Sequence, residues 1–282
     1  MEQRHKLPFF KTIINEQVHL LLYLDPYNRR MRIDSLSGDL DIGLSVILNE
    51  APVWAEKLIL KARTEQISFF TAKGWSQEGR IPRYFQGADL VFLTCYPFTE
   101  RQGSHQLTQI RAILYEVMQS PPDLQNRIDL DVCISTPQDA ERLAQLYAAV
   151  FKIYPTPMHD PDYVLKTMQD GTLYVHVEQE GRLLSAASAE VNIEFANAEL
   201  TDCATLSFAQ GRGYMYVLLD FLEKELLRRE INCLYTLCRA QSLGMNRVFY
   251  KLGYRYSGCL LNNCMIYSGL EHMNVWYKNV NE

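Results

Sequence analysis

No stretch of this chain approaches the roughly eighteen consecutive apolar residues that a bilayer-crossing helix needs. The opening Met1-Glu2-Gln3-Arg4-His5-Lys6 also lacks an apolar signal-peptide core. No membrane partner is expected, and the expected compartment is the cytoplasm. Positive charge is not in excess either. Lys and Arg number 28 against 33 Asp and Glu, a net charge of −5, whereas a nucleic-acid partner calls for a clustered basic surface. Mild acidity suits a cationic substrate instead. There is no G-x-x-x-x-G-K-(S/T), which excludes a P-loop, and no third glycine completes a G-x-G-x-x-G. Tight cysteine knuckles are missing too. The seven cysteines are scattered among apolar residues, and Cys233/Cys238 and Cys259/Cys264 are spaced too widely for ordinary zinc knuckles. They read as reduced core thiols, and no metal is expected.

What is present is an ordinary globular composition. The 282 residues are 48% hydrophobic and 22% charged, enough for one large domain or two moderate ones. The most informative segment is Ala198–Met215. A strand-like run ends at Leu206, a loop carries Gln210, Gly211 and Gly213, and an amphipathic helix begins at Tyr214. Strand, glycine loop and helix in that order build an anion site. Backbone N–H groups at a helix start lack intrahelical partners, and the helix dipole adds positive potential there. Glycine lets the backbone approach a phosphate closely. The bland alternative is a glycine turn that caps a core helix.

A break is expected at Ser120-Pro121-Pro122-Asp123, dividing the chain into residues 1–122 and 123–282. Gln106–Met118 before it is helical, and Ile128–Ile134 after it is a strand. Thr136-Pro137-Gln138-Asp139 then supplies an N-cap, a proline at the first helical position and a capping carboxylate. Ala140, Leu143, Ala144, Tyr147, Val150 and Phe151 follow at helical spacing. Tyr154-Pro155-Thr156-Pro157 forces an extended loop. Beyond it come a helix over Pro161–Gln169, a hairpin turning at Glu180-Gly181, and a strand over Asn197–Leu206. The remainder reads as the helix Tyr214–Glu230, the strand Cys233–Leu237, the helix Leu243–Leu252 and two last strands around Asn262–Tyr267 and Met273–Tyr277. In the first half Pro52–Gln66 is expected to be a helix and Asp89–Tyr96 a strand. Phe69–Gly79 weakly echoes Phe249–Gly258, which points to a decayed half-copy of one fold without a phosphate loop.

Gln210-x-x-Gly213-x-Met215 resembles the Gln-x-x-Gly-x-(Gly/Ala) pyrophosphate loop of the GNAT superfamily of acetyl-CoA-dependent N-acetyltransferases, with Met215 where Gly or Ala is usual. The order β-α-α-β-β-β-α-β-α-β-β over Asp123–Glu282 is the order of that superfamily. The resemblance implies an α/β (α+β) fold with a mixed, mostly antiparallel central sheet flanked by helices. It also implies acetyl-CoA as co-substrate, held by Gln210, Gly211, Arg212, Gly213, Tyr214 and Met215. Cys203, Ala204 and Thr205 match the segment that pairs with pantetheine and offers oxyanion donors.

Acetyl transfer to an amine needs a base, because an alkylamine of pKa ~10.4 is almost wholly protonated at neutral pH. Glu199 stands at the position of the superfamily's catalytic glutamate. Asp202 points to the opposite face by strand alternation, unless a bulge intervenes. Asn246-Arg-Val-Phe-Tyr250-Lys-Leu-Gly-Tyr254 resembles the second motif, in which Asn246 would bond pantetheine and Tyr250 would protonate the thiolate. The competing reading of Tyr250 is a core aromatic with a bonded hydroxyl, and that of Glu199 a solvated or salt-bridged strand carboxylate.

A nearer resemblance lies in Thr201–Leu206, Cys238–Asn246, Gly253–Asn263 and Glu271–Lys278, with Tyr154–Pro157 and Ile81–Phe85. These segments are similar to the β-lysine Nε-acetyltransferases. Such enzymes acetylate the terminal amine of 3,6-diaminohexanoate to give a zwitterionic compatible solute, beside a lysine 2,3-aminomutase. The acceptor would be a small amine, and a homodimer is compatible with the sequence. Arg239 is then the candidate for the substrate carboxylate, with Asn262, Asn263 and Glu271 for the second ammonium and Tyr154 and Thr156 in the pocket. Each has a plainer alternative: Arg239 in a surface pair, the asparagines in a turn, Glu271 in water. The rival functions are acetylation of another small amine or a protein amine, and a coenzyme A-binding regulatory module without catalysis.

Overall fold

Val18-His-Leu-Leu-Leu-Tyr-Leu-Asp25 buries alternate residues, as a strand covered on one face must. Leu218, Leu222 and Leu226, one helical turn apart, are all fully buried. Repeated along the chain, these two periods give a single sheet with helices packed on it. The computed structural model describes residues 8–103, 106–121, 130–266 and 269–280.

The first half contains β1 (Phe9–Ile14), β2 (Val18–Asp25), β3 (Arg30–Gly38), α1 (Leu40–Glu50), β4 (Lys57–Ala62), α2 (Ile67–Ala72), β5 (Ser76–Phe85), β6 (Ala88–Cys95) and α3 (Leu107–Met118). The second contains β7 (Cys133–Ile134), α4 (Ala140–Val150), α5 (Pro161–Gln169), β8 (Leu173–Gln179), β9 (Arg182–Asn192), β10 (Asn197–Thr205) and α6 (Tyr214–Arg228). It closes with β11 (Cys233–Arg239), α7 (Leu243–Lys251), β12 (Arg255–Ile266) and β13 (Gly269–Asn279). The expected element order after the break is therefore the observed one. The break itself, from Pro122, and the first residues of the expected strand Ile128–Ile134 lie outside the described residues. No helix among the described residues is long and apolar enough to cross a membrane.

The thirteen strands among the described residues form one sheet in the order β1-β2-β3-β4-β6-β5-β12-β13-β11-β10-β9-β8-β7. Outward from the middle, β5-β6-β4-β3-β2-β1 repeats β12-β13-β11-β10-β9-β8. Each series has its parallel pair at the same place, β3 with β4 and β10 with β11. Phe69–Gly79 and Phe249–Gly258 share one local geometry. Phe70 and Trp75 meet edge to face at 5.3 Å, and Phe249 and Tyr254 at 5.1 Å. In both, the second residue's N–H donates to the first one's carbonyl at 3.0 Å.

The halves join where Gly79 on β5 faces Gly258 on β12. A Cβ on Gly258 would stand 2.2 Å from the carbonyl oxygen of Glu78, and its φ of +147° favours glycine. Around this seam Ile59, Ile81 and Phe92 pack with Tyr235, Leu260 and Val275 in one apolar group. Lys57, fully buried, donates to Glu78 at 2.7 Å and to the Leu261 carbonyl at 2.6 Å. Gly258→Ala is expected to cost about 3 kcal/mol through this clash, seen as a lowered midpoint in denaturant unfolding.

The helix expected over Pro52–Gln66 is a correction. Lys57–Ala62 is instead the strand β4, buried on both faces and paired with β3 and β6. Its good helix formers are overruled by two-sided burial in the middle of a sheet.

Candidate active site

β10 pairs with β11 only over Asn197–Glu199 against Cys233–Tyr235. Beyond Glu199, β10 stays with β9 while β11 stays with β13, so the two strands part. Their separation opens a cavity of about 1150 Å³. Gln210, Gly211, Arg212, Gly213, Tyr214 and Met215 all line one side of it. Gly211 and Gly213 have φ of +75° and +81°, the left-handed region that lets the loop turn directly into α6. The first intrahelical bond of α6 runs from the Val217 N–H to the Gly213 carbonyl at 3.3 Å, so the N–H groups of the turn before it project from the helix end. Gln210 ties the loop to β10 by donating to the Thr205 carbonyl at 3.2 Å.

The matching position of the first half is closed. There Asp39 caps α1, accepting the Ile42 N–H at 2.9 Å, and so places its own carboxylate where an anion could sit.

A bulge between Thr201 and Ala204 breaks the alternation of β10, with Asp202 at φ +48°. Glu199 and Asp202 consequently both line the cavity, whereas strict alternation separates them. Cys203 and Thr205 line it as well; Ala204 is fully buried and its carbonyl accepts from Ser185 at 3.0 Å. Asp202 accepts from the Tyr154 hydroxyl at 3.0 Å and from Ser188 at 2.7 Å. Desolvation raises its pKa against those two hydrogen bonds. Glu199 is raised by the same cause, opposed by Lys61, Arg32 and a hydrogen bond from Tyr235. Glu190, across from Glu199 in the β9–β10 register, is raised by desolvation within the cleft and by the charges of Glu199 and Asp202. It is nonetheless open to the water of the cleft.

The opposite wall comes from the first half, which sequence reasoning left without a role. Tyr23, Arg30, Arg32, Ile59, Lys61 and Phe92 line it. In Arg30-Met-Arg-Ile-Asp34 the apolar residues Met31 and Ile33 are fully buried while Arg30, Arg32 and Asp34 share the other face. That alternation was the available signal. Arg32 grips Asp34 with two bonds, one of 2.9 Å, and lies over the Tyr23 ring at 4.6 Å. Lys61 reaches the same Asp34 at 3.4 Å.

Several expected site residues are engaged elsewhere. Tyr250 does not line the cavity; its hydroxyl donates to the Met118 carbonyl at 3.0 Å, which withdraws it as the acid. Tyr250→Phe should leave turnover within about twofold and cost at most about 1 kcal/mol of stability, measured by steady-state kinetics and denaturation. Asn246 is fully buried. It donates to the carbonyls of Arg239 and Ser242 at 2.9 and 2.8 Å and accepts from Asn274 and Trp276 at 2.8 and 2.9 Å. Its polar groups are spent on the fold, not on pantetheine. Arg239 lines the cavity, yet its Nε and one terminal nitrogen donate to Glu271 at 2.7 Å each, so two expected substrate residues neutralise each other. Asn262 lies outside the lining and holds the carbonyls of Arg101 and Gly103 at 2.6 and 3.0 Å. Asn263, Tyr154 and Thr156 do line it. Asn263 is 2% exposed and its Oδ1 has no partner among the described residues. No cluster of three or more metal-ligating side chains occurs among the described residues.

Residues 140–254 match the model of the acetyltransferase (GNAT) family. An N-acetyltransferase of Bacillus subtilis, YodP, is 35% identical over 280 residues, covering 96% of this chain and 99% of its own. The chain belongs to the GNAT acetyltransferases. Acetyl-CoA is the acetyl donor of that family. Two further relatives are named beta-lysine N(6)-acetyltransferase. The one from Methanosarcina mazei is 35% identical over 226 residues, 72% of this chain and 83% of that protein. The one from Methanococcus maripaludis is 32% identical over 267 residues, 94% and 97%.

Proposed function

We propose that this acetyltransferase moves the acetyl group of acetyl-CoA to the terminal amine of β-lysine in the cytoplasm, making Nε-acetyl-β-lysine as a compatible solute. Residues 123–282 are read as the catalytic domain and residues 1–122 as a companion without an acetyl-CoA loop. The observation that carries the reading is the cavity itself. It joins a glycine-lined helix start, fit for a pyrophosphate, to a pocket with carboxylates on one wall and cations on the other. A zwitterionic diamino acid needs both.

The geometry supports the following roles. The loop Gln210–Met215 receives the pyrophosphate, and the edge of β10 at Cys203–Thr205 faces the pantetheine arm and the carbonyl that takes on negative charge. Glu199 accepts the amine's proton. Its raised pKa brings it nearer to neutral, where a base is most effective. Asp202 already accepts two hydroxyl hydrogen bonds, so its task is to hold the Tyr154 loop. A regulatory module without catalysis has no use for a desolvated carboxylate beside the splayed strands. Purified protein assayed with acetyl-CoA should prefer β-lysine to lysine, ornithine and spermidine. Preference for spermidine, or for a protein amine, would replace the substrate and keep the reaction.

A further inference from the structure

The acceptor end of the cavity has its charges sorted by half. Glu190 and Glu199 come from the second half; Arg32 and Lys61, with Asp34 between them, come from the first. Glu190 and Glu199 are directly opposed across β9 and β10, with Cβ atoms about 5 Å apart in such a pair, and like charges so placed repel. The Tyr235 hydroxyl helps to hold Glu199 as a carboxylate. Glu190 has neither hydrogen bond nor ion pair among the described residues, although Arg32 and Lys61 lie within its electrostatic reach. An unpartnered acid next to a cation pair is the complement of an amino-acid head group, whose ammonium and carboxylate are also neighbours. Asn263 lines the same cavity, and its buried Oδ1 has no partner among the described residues.

Resting on the acetyltransferase reading above, we propose that the first half of the chain selects the acceptor. Lys61, backed by Arg32, holds the substrate carboxylate, and Glu190 holds the second ammonium. The reactive amine then reaches Glu199 and the splayed strands. Two carboxylates opposed across strands suit two nitrogens on carbons three apart in the chain, as on C3 and C6 of β-lysine. The carboxylate grip thus passes from Arg239, which Glu271 occupies, to a lysine contributed by the other half.

Two acceptors separate the roles. 1,4-Diaminobutane keeps both amines and lacks the carboxylate, whereas 6-aminohexanoate keeps the carboxylate and lacks the second amine. Glu190→Gln should lower kcat/KM roughly tenfold more for 1,4-diaminobutane than for 6-aminohexanoate, and Lys61→Met should reverse that order. Both variants should weaken β-lysine binding in calorimetry, a readout that needs no turnover. Equal losses on the two probes, or none, would overturn the assignment while leaving acetylation of β-lysine intact. β-Lysine that binds, and binds less well to both variants, without being acetylated would instead sink the proposed reaction and leave the assignment standing. Absence of β-lysine binding by the wild type would end both.

Discussion

Gly213→Asp is expected to weaken acetyl-CoA binding by a hundredfold or more, on the order of 3 kcal/mol, in calorimetry on a protein that still folds. The substitution acts by imitation. Gly213 stands at the N-cap of α6 with φ +81°, a region aspartate tolerates better than most residues. Its carboxylate would turn onto the exposed N–H groups of the first turn and fill the anion site from within, as Asp39 already does at α1. The left-handed backbone costs some stability, as in any substitution of Gly213, while the added charge repels the phosphates. Gly213→Ala provides the control, since it strains the same backbone without adding charge. Wild-type affinity in Gly213→Asp would place the pyrophosphate elsewhere.

The second large effect is expected from Glu199→Gln, a fall in kcat of about a hundredfold or more, the usual worth of a positioned base. The direction of the pH profile tests the cause. Desolvation raises the Glu199 pKa, and a base works only when deprotonated. Wild-type activity should therefore fall as pH drops through that raised pKa. In the variant this limb disappears, and activity climbs with pH toward the amine's own pKa of ~10.4 as free amine becomes available. A variant retaining both the wild-type rate and its acid limb would leave proton removal to another group.

Much of the second half is legible because its signals are local. Thr136-Pro137-Gln138-Asp139 forms the capping box that its composition announces, with Asp139 accepting from the Thr136 N–H at 2.9 Å. Glu180-Gly181 both take positive φ, as a two-residue hairpin turn demands. The loop at Gly211 and Gly213 is set by neighbours in sequence. The failures are all long-range. Tyr250 is claimed by the Met118 carbonyl and Arg239 by Glu271, partners that no spacing rule can anticipate. Lys57–Ala62 looks helical until β3 and β6 are placed beside it. Alternation marks the polar face of Arg30–Asp34, but the wall made by Arg32 and Lys61 forms only once two distant strands are brought over β10.

Melting offers another view of the seam at Gly79 and Gly258. Ile59, Ile81 and Phe92 share their dry surface with Tyr235, Leu260 and Val275, and the Lys57 ammonium is held by Glu78 and by a carbonyl of the other half. Neither half can open alone without wetting that surface and stranding a buried charge. A chain that is topologically doubled is thus expected to melt as one cooperative body, in a single calorimetric transition. The first half is expected not to loosen independently, because the second half shares its interior.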